Sequence, residues 1–122
     1  MDSLEHFIDE AISDFPNGMK SHIHTVVDIA LELSEIHGAN TNEVYLSAKG
    51  HDICRLTPPE KLLELAYDFD LPVCDIEIEI PMLLHGPVGA KILSQHMEPF
   101  NESIYEAVFW HTTGNYELND VG

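Results

Sequence analysis

A histidine and an aspartate stand side by side in the segment GHDICR at residues 50–55. The apolar pattern around it predicts a helix over about residues 41–53. In that helix His51 and Asp52 follow Ala48 by three and four residues, so both lie on the same helix face as Ala48. The sequence therefore predicts an adjacent His-Asp pair that points from one helix into the core.

The rest of the chain is also predicted to be helical, from apolar residues that recur every three or four positions and from glycines and prolines that end each run. Five further helices are expected at about residues 4–15, 19–37, 58–69, 87–97 and 102–111. Residues 76–80 alternate Ile and Glu, but no second strand is available to pair with them, so they are expected to form an extended connection. The predicted fold is one all-α domain, a bundle of about six helices.

Composition limits the classes of function. The 122 residues are 44% hydrophobic, which suffices for one domain with its own core. With 22 acidic and 5 basic residues the net charge is −17, so we expect no nucleic-acid partner, because its phosphates would be repelled. No stretch approaches the roughly 18 apolar residues of a membrane span, and the acidic start does not resemble a signal peptide. We therefore expect a cytoplasmic protein, with no membrane partner, in which Cys54 and Cys74 are reduced.

Two further histidines, His85 and His111, share predicted helix faces with apolar residues. Together with His51 and Asp52, these residues form a set of three imidazoles and one carboxylate. They come from three predicted helices, and all of them are expected to point to the interior. An unpaired polar ring is costly there, and a metal ion is the commonest way to satisfy such a cluster. For each histidine alone, the alternative is a hydrogen-bonded core residue.

The second predicted helix offers two more candidates, His22 and His24, which flank its apolar stripe. Periodicity does not choose between them. The remaining histidines, His6, His37 and His96, are explained by surface or capping positions.

Four segments, in this order, resemble the HD-domain metal-dependent phosphohydrolases, and within them the YqeK-type symmetrical diadenosine tetraphosphatases. They are IHTVV at 23–27, GHDICR at 50–55, LHGPVGA at 84–90 and WHTTG at 110–114. The HGPVGA and HTTG stretches are the most specific of these. The resemblance covers about residues 18–115, within an HD domain that takes up residues 1–122.

The resemblance implies a set of metal ligands, which is His24, His51, Asp52, His85 and His111. It favours His24 over His22, and it implies two divalent ions, iron or else manganese or a similar metal, with Asp52 bridging them. Arg55 stands where these proteins usually carry a lysine and is expected to contact a phosphate of the substrate. Asp52 and Arg55 are thus the residues expected to take part in catalysis.

The activity implied by the resemblance is hydrolysis of a small nucleotide, with diadenosine tetraphosphate split symmetrically into two ADP. The sequence departs from the family pattern at Ser21, where an arginine is usual. In the family, the last metal-binding aspartate lies on a further helix that follows HTTG. This chain does not extend to that position at its C-terminal end. Asp120 comes too early in the sequence to replace the missing aspartate.

We therefore expect weak or no hydrolysis by this chain, and its alternative function is a non-catalytic HD module that binds metal or nucleotide in an incomplete site. A plain helical scaffold is the third interpretation. Apolar core left uncovered around Trp110 would favour a homodimer.

Overall fold

The structure, a computed structural model, describes residues 2–111 and residue 121. Within these residues the chain is all-α, as predicted, and contains no strand. Its helices are α1 (Asp2–Ile12), α2 (Asn17–His37), α3 (Thr41–Gly50), α4 (Pro59–Asp68), α5 (Asp75–Glu79), α6 (His85–Ser94) and α7 (Glu102–Phe109), with a 3₁₀ turn at Pro81–Leu84. The second half of the WHTTG segment and Asp120 lie outside the described residues. Of the helices in this part of the chain, none combines the length and hydropathy needed to span a bilayer.

The prediction for residues 76–80 is wrong, because the chain forms the short helix α5 there, a seventh α-helix in the described chain. The backbone N–H of Cys74 donates to Oε1 of Glu77 at 2.9 Å, and that of Ile80 donates to the carbonyl of Ile76 at 2.8 Å. Alternation of Ile and Glu does not create a strand without a neighbour to pair with. Local hydrogen bonds determine the conformation instead, and the three isoleucines of the segment stay half exposed.

Several predicted helix ends also differ from the structure, among them the following three. Helix α3 ends at Gly50, and residues 51–56 continue as turns whose hydrogen bonds join residues three apart. Helix α6 begins at His85, so this histidine belongs to the helix rather than preceding it. Helix α4 begins at Pro59, one residue later than predicted, and Pro58 occupies its N-cap position.

Helix α3 is central, because it contacts α1, α2 and α7, while α7 also packs along α6. The core that joins α1, α3, α6 and α7 is made of apolar side chains, each of which stabilises the fold by about 1.5–3 kcal/mol when fully buried. Its fully buried members are Leu4, Ile8, Leu46, Leu93, Ile104 and Val108. A second cluster around Leu62, Leu84 and Val88 joins α4 to α6. This packing brings together the C-terminal ends of α3 and α7 and the N-terminal end of α6.

Candidate metal centre

The carboxylate of Asp52 lies at the centre of four histidines and is only 3% exposed. Its Oδ2 atom lies 3.0 Å from Nε2 of His51 and 3.3 Å from Nε2 of His22. Its Oδ1 atom lies 3.2 Å from Nε2 of His85 and 3.5 Å from Nε2 of His111. The structure thus brings together four of the five expected ligands and adds His22.

Three of the four imidazoles are anchored in the same way, by a hydrogen bond from Nδ1 to the backbone carbonyl three residues earlier. The pairs are His51 with Ala48 at 2.6 Å, His85 with Met82 at 2.6 Å, and His111 with Val108 at 2.7 Å. A carbonyl oxygen only accepts hydrogen bonds, so each Nδ1 carries the proton. In the neutral ring Nε2 then holds a lone pair, which is the arrangement of a metal-binding histidine.

The donor set fits a divalent metal ion. The Nε2 atoms of His85 and His111 lie 2.9 Å apart, and the Oδ1 atom of Asp52 is adjacent to both. With both Nδ1 atoms protonated, these Nε2 atoms and the carboxylate are all acceptors, and buried acceptors that face one another require protons or a cation between them. Neutral imidazoles with a carboxylate suit ions such as iron(II), manganese or zinc.

The ligand atoms form two groups that share Asp52. One consists of His22, His51 and Asp52, and the other of Asp52, His85 and His111; within each group the ligand atoms lie within 4.8 Å of one another. Because the two groups use different oxygens of the carboxylate, each could hold one ion.

The charge of the centre is set by Asp52. Burial alone would raise the pKa of its carboxyl. In the metal-free chain a proton on Nε2 can take the place of the ion, and hydrogen bonds donated in this way by His111, His51 and His85 outweigh burial and hold the pKa far below its usual value. For His51, burial alone would lower the pKa, but the hydrogen bonds to Asp52 and to a backbone carbonyl raise it. Asp52 is therefore ionised throughout the physiological range and attracts a cation.

Cys54 and Arg55 follow Asp52 but differ in their surroundings. Cys54 is buried, and burial raises the pKa of its thiol to about 11, so it remains protonated and packs as an apolar side chain. Arg55 is exposed, and its positive charge opposes the rise in the pKa of His51 without reversing it. Its guanidinium is therefore close enough to the centre to act on it electrostatically.

His24 does not join the cluster, contrary to the ligand set that the resemblance implies. Its side chain is 79% exposed, and its Nε2 atom lies 3.4 Å from Oδ2 of Asp28, one turn further along α2. His22 and His24 are separated by about 200° around the helix, so α2 cannot present both of them to Asp52. His22 replaces His24 in the candidate ligand set.

The register of α2 is compatible with the position of His22. Val26 and Ala30 follow His22 by four and eight residues, which places all three along one face of the helix. Both residues line a cleft together with His51 and His111. Only the packing of α2 shows that these two residues, rather than others of its apolar stripe, face the site, so the sequence alone does not distinguish the two histidines.

The two histidines of α2 provide a matched test of this correction. We expect His22→Ala to lower the affinity for Mn²⁺ at least about tenfold, because even residues that only orient metal ligands contribute 10–100-fold. His24→Ala should leave the affinity unchanged. Calorimetric titration of both variants with Mn²⁺ measures the difference, and equal losses would contradict the assignment of His22.

The chain is similar to known proteins. A family model described as HD domain matches residues 19–118, a range that includes Asp52 and the four histidines around it. The chain belongs to the HD domain family. The fold and the His-Asp pair of this HD domain therefore agree with the resemblance seen in its sequence.

Two relatives of this HD domain are symmetrical bis(5'-nucleosyl)-tetraphosphatases. The protein from Staphylococcus aureus is 28% identical over 103 residues, which cover 84% of this chain and 53% of that protein. The protein from Bacillus subtilis is 29% identical over 110 residues, which cover 87% of this chain and 59% of that protein. The chain thus spans just over half the length of these relatives.

A solved structure has the same fold. It is the crystal structure of a predicted HD superfamily hydrolase involved in NAD metabolism from Clostridium acetobutylicum. The TM-score is 0.87 at 23% sequence identity, and the match covers 96% of this chain and 62% of that chain. The similarity confirms the all-α HD fold.

Proposed function

We propose that this HD domain binds two divalent metal ions and hydrolyses a nucleoside polyphosphate, cleaving diadenosine tetraphosphate symmetrically into two ADP. The observation that carries the proposal is the arrangement around Asp52. Four Nε2 atoms lie within 3.5 Å of its carboxylate oxygens, and three of the four rings have Nδ1 bound to a backbone carbonyl. The names of the relatives support the substrate class.

Each part of the centre has a role in this proposal. Divalent ions, iron(II) or else manganese, would polarise phosphoryl oxygens and lower the pKa of a water molecule. Asp52 would fix the separation of the two ions, since its oxygens serve different ligand groups. His22 is 52% exposed whereas His85 is 5% exposed, so the substrate would approach from the side of His22.

Arg55 would bind a phosphate of the substrate. The chain carries few positive charges to attract an anion, 5 basic against 22 acidic residues. Arg55 is exposed, and its positive charge opposes the rise in the pKa of His51. A guanidinium can grip a phosphate with two hydrogen bonds, and the bound metal ions would supply the remaining positive charge.

A product analysis tests the proposal. The purified chain, loaded with Fe²⁺ under anaerobic conditions or with Mn²⁺, is incubated with diadenosine tetraphosphate, and the nucleotides are separated by chromatography. We expect ADP as the single nucleotide product, formed slowly because the family's last metal-binding aspartate is missing, with this weak activity retained by His24→Ala. NAD serves as a second substrate, because the structural relative is described as acting in NAD metabolism and NAD has the same kind of phosphoanhydride bond.

The alternatives give different results. AMP together with ATP would mean asymmetric cleavage and would contradict the proposed product. Preferential cleavage of NAD would mean that the substrate is a different dinucleotide from the one proposed. Bound metal without turnover of either substrate would favour the non-catalytic binding module over an enzyme.

A further inference from the structure

The backbone of α6 lies close to the end of α7 at Gly86, the residue directly after His85. A Cβ atom added to Gly86 would lie 2.9 Å from the carbonyl oxygen of Phe109, 3.1 Å from that of Val108 and 3.2 Å from Nδ1 of His111. The first of these distances is too short for a Cβ contact, so the surrounding atoms would have to move. Two of the three atoms belong to the backbone of α7, which cannot rotate away as a side chain can.

The atoms that Gly86 contacts are the ones that orient His111. The carbonyl oxygen of Val108 accepts the hydrogen bond from Nδ1 of His111 at 2.7 Å, which directs Nε2 of that ring toward Asp52. A methyl group at Gly86 would press on both partners of this bond. Metal sites tolerate deviations of only about 0.2 Å in ligand distances, so the displaced ring would bind metal less well.

From this contact we infer that Gly86 is a positioning residue for metal binding, which acts through His111 by leaving room for the bond that fixes its ring. The inference rests on the proposed metal centre. It concerns the ligand group of Asp52, His85 and His111 and leaves the group that contains His22 unaffected.

Gly89 and Gly18 provide controls for the effect of adding a methyl group to a helix. At Gly89, on the same helix α6, the new Cβ would lie 3.2 Å from Cγ2 of Ile53, a side-chain atom, and its other contacts would be 3.9 Å. At Gly18, on α2, it would meet nothing within 4 Å. Neither position contacts a histidine anchor.

The experiment is a calorimetric titration of the full chain and its variants with Co²⁺, in which stoichiometry and affinity are measured together. The unsubstituted chain should bind two ions. In Gly86→Ala one of them should bind at least about tenfold more weakly, the effect seen when residues that orient metal ligands are altered. Gly89→Ala and Gly18→Ala should bind both ions as before, and Co²⁺ absorption should change only in Gly86→Ala.

A double-mutant cycle with His111→Ala tests whether Gly86 acts through His111. The loss of Co²⁺ affinity in the double variant should equal that of His111→Ala alone, whereas the losses of Gly86→Ala and His22→Ala should add. Additive losses with His111→Ala would overturn the inference.

Separate measurements distinguish a loss of folding from a loss of metal binding, and a failure of the metal centre from a failure of the inference about Gly86. Far-UV circular dichroism checks that Gly86→Ala is folded, and if it is not, the titration is made in trimethylamine N-oxide, which favours the folded state. If the unsubstituted chain binds no Co²⁺, the proposed metal centre fails. If it binds two ions and the folded Gly86→Ala variant binds them equally well, only the inference about Gly86 fails.

Discussion

Replacing Asp52 by asparagine is expected to abolish the binding of both metal ions and, with it, hydrolysis. Asp52 contributes a different carboxylate oxygen to each ligand group. An asparagine has one carbonyl oxygen and an amide that donates, so it removes the negative charge and one of the two ligand atoms. The affinity should fall by more than about 100-fold, since residues that only orient ligands account for 10–100-fold. The amide can still donate to a histidine Nε2, so the fold should persist.

Asp28→Asn is the matched control, because Asp28 also contacts a histidine, His24, but on the exposed face of α2. Elemental analysis of both purified variants after dialysis measures the bound metal. Asp28→Asn should retain the metal content of the unsubstituted chain. Equal metal content in Asp52→Asn and Asp28→Asn would show that Asp52 does not hold the ions.

Each bound metal ion is expected to raise the free energy of unfolding by about 2.7 kcal/mol at a free metal concentration 100 times its Kd. The ligands come from α2, α6 and the turns that follow α3 and α7, which are brought together only in the folded chain. For a chain of this length the gain corresponds to an increase in Tm of roughly 10 °C. Thermal unfolding followed by circular dichroism, with Mn²⁺ and then with EDTA, measures it.

The acidic surface requires a control, since a net charge of −17 attracts cations without a specific site. Asp52→Asn removes the centre but changes the net charge little, so Mn²⁺ should raise its Tm much less than that of the unsubstituted chain. An equal rise in both chains would assign the stabilisation to screening of surface charge and would argue against a specific centre.

Local sequence determined most of the helices. The last helix is predicted to begin at residue 102, and Asn101 directly before it is the N-cap, whose Oδ1 atom accepts a hydrogen bond from the N–H of Ile104 at 3.0 Å. Gly38 ends α2 with a φ of 70°, as the pattern predicts. Caps and apolar periodicity act within a few residues, so they can be recognised without knowledge of the fold. The same local rules failed at residues 76–80, where alternation was a weaker determinant than the hydrogen bonds of a single helical turn.

The sequence by itself also determined the family, through the order of its motifs, and the inward direction of His51, Asp52, His85 and His111. Only the tertiary structure decided that His22 rather than His24 approaches Asp52. The apolar stripe of α2 is broad, and the rotation of a helix about its axis is set by packing against its neighbours, which its own periodicity does not contain. The close approach at Gly86 was decided in the same way, because it joins α6 to α7, two segments whose separation depends on the whole core between them.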